Sequence, residues 1–153
     1  MAIELPNRDV HVWRMGSGPV ASWPHELHIT ASRDAYREIS AAVEEGAQRF
    51  PEVTIRVGCR RPDRETLDAI AKALRGSSWA GRRHEWLGGL SIRCGDTTDA
   101  WSLRGSNAIL PLDADGQRAF VEHCRRQAGN EIMHGSRLFE SGLCFTPDFI
   151  GAE

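Results

Sequence analysis

Histidine, cysteine and tryptophan are the side chains here that could carry chemistry, and their spacing decides which chemistry is open to them. Pro24-His25-Glu26-Leu27-His28 has the composition of a zinc-protease motif. That motif needs histidines at i and i+4 on one helical face. Here they are three apart at the start of a strand, where period-2 alternation sends them to opposite faces, and both are expected to face solvent. No metal site is expected from them.

Glu122-His123-Cys124 places a base beside a thiol. Adjacent helical residues point about 100° apart, so they cannot form the hydrogen bond that would activate the sulfur. Cys124 falls on the apolar stripe and reads as a buried structural thiol. Asp96, Asp99, Asp113 and Asp115 lack the dense ligand series and closing glutamate of a calcium loop, and they read as turn and cap residues. Met15-Gly-Ser-Gly-Pro and Gly88-Gly-Leu fit neither a dinucleotide fingerprint nor a phosphate loop, and no Gly-x-Ser-x-Gly elbow occurs. No cofactor is expected.

The densest constellation is the segment 77–86, with Trp79, Arg82, Arg83, His84, Glu85 and Trp86. Tryptophan and arginine dominate interface hot spots because each buries a large area and still makes directed polar contacts. Trp79, Arg82, Arg83 and Trp86 are therefore the expected partner-binding residues. In the competing interpretation, the tryptophans cap the core and the arginines are solvated.

Three segments share the plan that must position these groups: a short strand, a polar cap and a helix ended by glycine. In the first, Leu27 to Ala31 form the strand and Ser32 the N-cap. Ala35, Tyr36, Ile39, Ala42 and Val43 then line one helical face up to Gly46. In the second, Val53, Ile55 and Val57 alternate with Thr54 and Arg56; Pro62 and Asp63 open a helix carrying Leu67, Ile70, Ala71 and Leu74 before Gly76. In the third, Ala108 to Leu112 lead to a cap at Asp113 or Asp115 and a helix with Ala119, Phe120, Val121 and Cys124, ending at Gly129. Gly116 weakens its first turn.

Between the second and third segments, Glu85–Leu87, Leu90–Arg93 and Ala100–Leu103 read as an antiparallel meander turned at Gly88-Gly89. Val10–Arg14 reads as a further strand and Leu143–Phe145 as an edge strand, with 15–24 as a loop. The expectation is one α+β domain spanning 1–153, a mixed, mainly antiparallel sheet with about three helices packed on it as a single layer pair.

A chain of 153 residues with 41% hydrophobic and 26% charged residues can bury an adequate core. The net charge of -2 disfavours nucleic acid as a partner. Apart from Lys72 every basic side chain is arginine, as biased codon usage in a GC-rich genome would produce. Cys59, Cys94, Cys124 and Cys144 are too widely spaced for a zinc ribbon or a redox pair, so reduced thiols are expected. The N-terminus lacks the order of a secretory signal and no apolar run reaches the ~20 residues of a membrane helix. The reading is cytoplasmic, with no membrane partner.

Leu27-His-Ile-Thr-Ala-Ser and Leu110-Pro-Leu-Asp-Ala-Asp, each leading into an amphipathic helix, give a short α+β plan that resembles the small bacterial immunity proteins. The resemblance covers about a third of the chain and assigns no residues. It implies a non-catalytic protein-binding module that neutralises a cognate toxin by direct binding. The alternative is a small enzyme or ligand-binding domain with a pocket at the sheet edge, using His28, His84, His123 and Glu85 as acid, base or ligand. Self-association through an open edge strand is compatible with either.

Overall fold

A computed structural model of the chain describes residues 1–5, 9–15, 27–59, 61, 63–65, 67–68, 84–99, 101–129, 136–138 and 143–146. The fold is α+β, and it is built on two five-stranded sheets where the sequence suggested one. In chain order the elements are β1 (Ala2–Leu5), β2 (Val10–Met15), β3 (Leu27–Ala31), α1 (Arg33–Arg49), β4 (Val53–Gly58) and β5 (His84–Leu87). There follow β6 (Gly89–Cys94), β7 (Ser102–Arg104), β8 (Asn107–Leu112), α2 (Ala114–Ala128), β9 (Ser136–Leu138) and β10 (Leu143–Thr146).

The first sheet has the order β1-β4-β6-β8-β7 and the second β5-β2-β3-β10-β9. Both are mixed: β1–β4, β6–β8 and β3–β10 pair parallel, the other neighbours antiparallel. The helices cross between sheets in opposite senses, α1 carrying the chain from the second to the first and α2 back again. Apolar side chains of both sheets and both helices join in one buried cluster that includes Val12, Ile29, Tyr36, Ile55, Ile92, Leu110 and Phe120.

The strand-cap-helix plan holds in detail. Ala35 donates its backbone N–H to Ser32 Oγ at 3.2 Å, and the stripe from Ala35 to Val43 is buried as its 3.6-residue spacing requires. Helix α1 runs on past Gly46 to Arg49, however. A Cβ at Gly46 would stand 3.0 Å from Val53 Cγ1 and 3.3 Å from Ile3 Cδ1, so this glycine allows the helix to lie close on β1 and β4. Asp113 is the N-cap of α2, accepting from the Gly116 N–H at 2.8 Å, and the helix ends at Gly129. Gly116 has a packing reason, since a Cβ there would meet Thr98 Oγ1 at 2.7 Å.

Two helices lie wholly among the described residues, against the three expected. Of the helix after β4, the backbone N–H of Leu67 bonds to the Asp63 carbonyl at 2.9 Å; Ile70, Ala71, Leu74 and Gly76 lie outside the described residues, as do 16–24 of the expected loop.

Three topological expectations fail. Leu87 and Gly89 do not flank a hairpin: β5 belongs to the second sheet and β6 to the first, and Gly88 is the crossing point, its N–H bonded to the Ser106 carbonyl at 2.8 Å. The expected meander fails with it, because β6 pairs parallel with β8 and the intervening β7 returns on the far side of β8. The strand β10 is interior, between β3 and β9, not at an edge. Each error concerns which strand is the neighbour, which local alternation cannot encode.

Candidate partner-binding surface

Strand β2 alternates Val10 and Val12, which enter the core, with His11 and Trp13 on the opposite face. Strand β3 does the same with Leu27, Ile29 and Ala31 against His28 and Thr30. Antiparallel register sets His11 opposite Thr30 and Trp13 opposite His28, and β5 continues the pairing on the other side of β2 with Trp86 opposite Trp13. One sheet face therefore collects two histidines, a threonine and two tryptophans.

The indole of Trp13 is fully buried and stacked on His28, with ring centroids 4.1 Å apart and planes at 9°. Its Nε1–H donates to Thr30 Oγ1 at 3.2 Å, giving a buried indole the polar partner it requires. Trp86 leans on this wall, tilted at 53° to Trp13 with centroids 6.0 Å apart and edge-on to His11 at 6.4 Å. It is half-buried, while Trp13, His11 and His28 are 0%, 3% and 0% exposed. Trp86 packs against this wall and is only part-buried, on β5, the last strand of the sheet.

Of the four expected partner-binding residues, Trp86 is thus placed at a sheet edge, and Trp79, Arg82 and Arg83 lie outside the described residues. The expectation that His28 faces solvent is wrong, because its strand face is packed against Trp13 and closed. His25 and Glu26 are outside the described residues. His84 and Glu85 stand in β5 opposite Met15 and Arg14, whereas His123 is on α2, so the histidines proposed for a pocket are divided between a sheet and a helix. His11 and Trp13 were not singled out from the sequence. The signal was Val-His-Val-Trp, an alternation that places both polar-capable rings on one strand face.

Cys124 is fully buried and its thiol is pushed up by that burial, as the apolar stripe of α2 implied. Burial raises Cys59 to about 12 and Cys94 to about 11, so neither carries appreciable thiolate near neutral pH. His123 is held below its ordinary value by burial and by the neighbouring Arg126. The Gly116 N–H and the Thr98 hydroxyl hold the Asp113 carboxyl below its usual range, which is cap chemistry. Among the described residues no three histidine, cysteine or acidic side chains gather as a metal site. A cleft of about 940 Å³ separates the outer edges of α1 and α2 around Ala47, Gln48 and Gln117, and the Arg125–Glu44 ion pair spans the helices there.

No known family profile matches the chain, and no curated protein is similar to it at a significant level.

Proposed function

We propose that the protein is a non-catalytic protein-binding module, and that it acts as an immunity-type inhibitor of a cognate protein toxin by direct binding. The observation that carries this reading is the half-buried Trp86 on the terminal strand of a sheet, backed by the closed Trp13–His28 stack. A tryptophan whose one side is already immobilised loses little conformational freedom when a partner covers the other, which is how an anchor residue gains affinity. Trp79, Arg82 and Arg83 lie within seven residues of Trp86 in the sequence, and 79–86 is the proposed binding segment.

The test compares tagged wild-type protein with the W79A/R82A/R83A/W86A variant, each purified from the native host under a salt wash. The wild type is expected to retain one stoichiometric protein that the variant loses. That protein should arrest growth when expressed alone and cease to do so on co-expression with the wild type. Equal retention by both forms removes this segment as the binding surface, and a harmless captured protein removes the toxin.

A further inference from the structure

The geometry points to a binding site for a basic α-amino acid at one end of the first sheet, in an open cleft of about 610 Å³. Trp86 belongs to the other sheet, so the site does not rest on the proposed toxin partner. The cleft lies where β4 begins and β6 ends. Thr54 and Arg93 line it from those strands, Glu52 from just before β4, and the loop 95–97 from just after β6.

Gly95 keeps the cleft hollow. Cβ atoms at Gly46, Gly88, Gly89 and Gly116 would stand 3.0, 2.9, 2.6 and 2.7 Å from neighbouring atoms, and Gly105 has φ +64°, so packing or backbone conformation accounts for each of these glycines. Neither accounts for Gly95. Its φ is outside the left-handed region, and a Cβ there would meet nothing nearer than Glu52 Cγ at 3.9 Å, an ordinary contact. A larger side chain would enter the cleft without strain. The loop itself is pinned, because the Gly95 N–H donates to the Leu112 carbonyl at 3.0 Å and the Asp113 N–H to Thr98 Oγ1 at 2.9 Å.

Arg93, Glu52 and Asp96 are exposed, and among the described residues none of the three enters an ion pair. Register explains why Arg93 has none. Arg56 has Glu4 as its neighbour in register and pairs with it at 3.0 Å, whereas Arg93 stands between Thr54 and Pro111, neither of which is charged. Asp99 also lines the cleft but is already engaged within the chain, and it has no part in the site.

One guanidinium and two carboxylates around a single hollow complement a molecule with one carboxylate and two cationic groups, which is a basic α-amino acid. The planar fork of Arg93 takes the carboxylate, Glu52 and Asp96 take the two cations, and Pro111 offers an apolar wall to the methylene stem. The guanidinium in the same cleft repels a bare metal cation. The volume falls in the range of small-ligand sites, ~300–1,000 Å³. Because the charges face water, binding is weak, with a Kd on the order of 1 mM.

The test is an amide-resolved NMR titration of the full chain with L-lysine to ~10 mM, about ten times that Kd, at constant ionic strength near neutral pH. Saturating shifts are expected at Thr54 and across 93–97. Butylammonium and hexanoate, each carrying one of the ligand's charges, and glycine, which lacks the second cation, are expected to bind roughly 10-fold more weakly or less. Arg93→Gln and Gly95→Leu are each expected to raise the Kd for lysine roughly 10-fold with the Tm within a few degrees of wild type. Gly95→Leu leaves every charge in place and only fills the hollow. The absence of saturable shifts at these residues overturns the proposal. So does butylammonium, hexanoate or glycine binding as tightly as lysine, or an unchanged Kd in either variant.

Discussion

At the scale of single residues, the behaviour of the polar side chains follows from whether their strand or helix face is closed. Trp13 and Thr30 share a buried hydrogen bond, so Thr30→Val, which keeps the shape and removes the acceptor, should cost about 1–3 kcal/mol. Chemical denaturation would measure this as a lower midpoint with unchanged m-value. The raised thiols of Cys59, Cys94 and Cys124 should resist alkylation at pH 8 in the native state and react on unfolding, as residue-by-residue mass spectrometry can follow. Rapid native labelling of any of the three would contradict their burial. His123 is depressed in the folded chain, so folding binds fewer protons there than unfolding does. Stability tied to it is complete above its ordinary value of 6.5 and falls as pH drops through that value. His123→Gln should therefore flatten the acid side of a Tm-against-pH curve and leave the curve unchanged above neutrality.

At the scale of elements, what the sequence made legible was local grammar. Ser32 and Asp113 cap helices because their side-chain oxygens satisfy first-turn N–H groups, a requirement written entirely within a few residues. Ser32→Ala should lower stability by about 1 kcal/mol. The failures are long-range. Gly46 was read as a stop because glycine often ends helices, yet its role depends on Val53 and Ile3 packing above it, which no window around residue 46 contains. Gly46→Ala should consequently lower Tm, since overpacking costs typically 1–3 kcal/mol against the about 1 kcal/mol that alanine contributes to helix propensity. A raised Tm would show that Val53, Ile3 and Ile55 can move aside. Gly88-Gly89 misled for a related reason: a hairpin and a step between sheets use the same permissive backbone, and only the partners of β5 and β6 tell them apart. Likewise Leu-His-Ile-Thr-Ala alternates as a half-exposed strand should, yet its polar face is buried, with Trp13 from a strand earlier in the chain stacked beside His28. Of the proposed binding segment, composition pointed to Trp86 and missed the His11 and Trp13 rings packed beside it.

At the scale of the whole molecule, the two sheets divide the surface into regions of different character. The second sheet is closed on both faces along β3 and ends at the strand of Trp86; in the first, Arg56 and Arg93 are exposed; the helices expose arginines already matched by carboxylates. A net charge of -2 spread in this way offers no single-sign field, and among the described residues no helix is long and apolar enough to cross a membrane. The proposed binding would rest on shape and on a small number of anchors. The central claim is that Trp86 is the chief of these, and titration of the captured partner onto wild type and Trp86→Ala tests it most directly. A loss of ~2 kcal/mol, roughly 30-fold in Kd, with the Tm within a few degrees of wild type, is the predicted result. Equal affinity of the two proteins would contradict the claim and move the binding surface away from the edge of the second sheet.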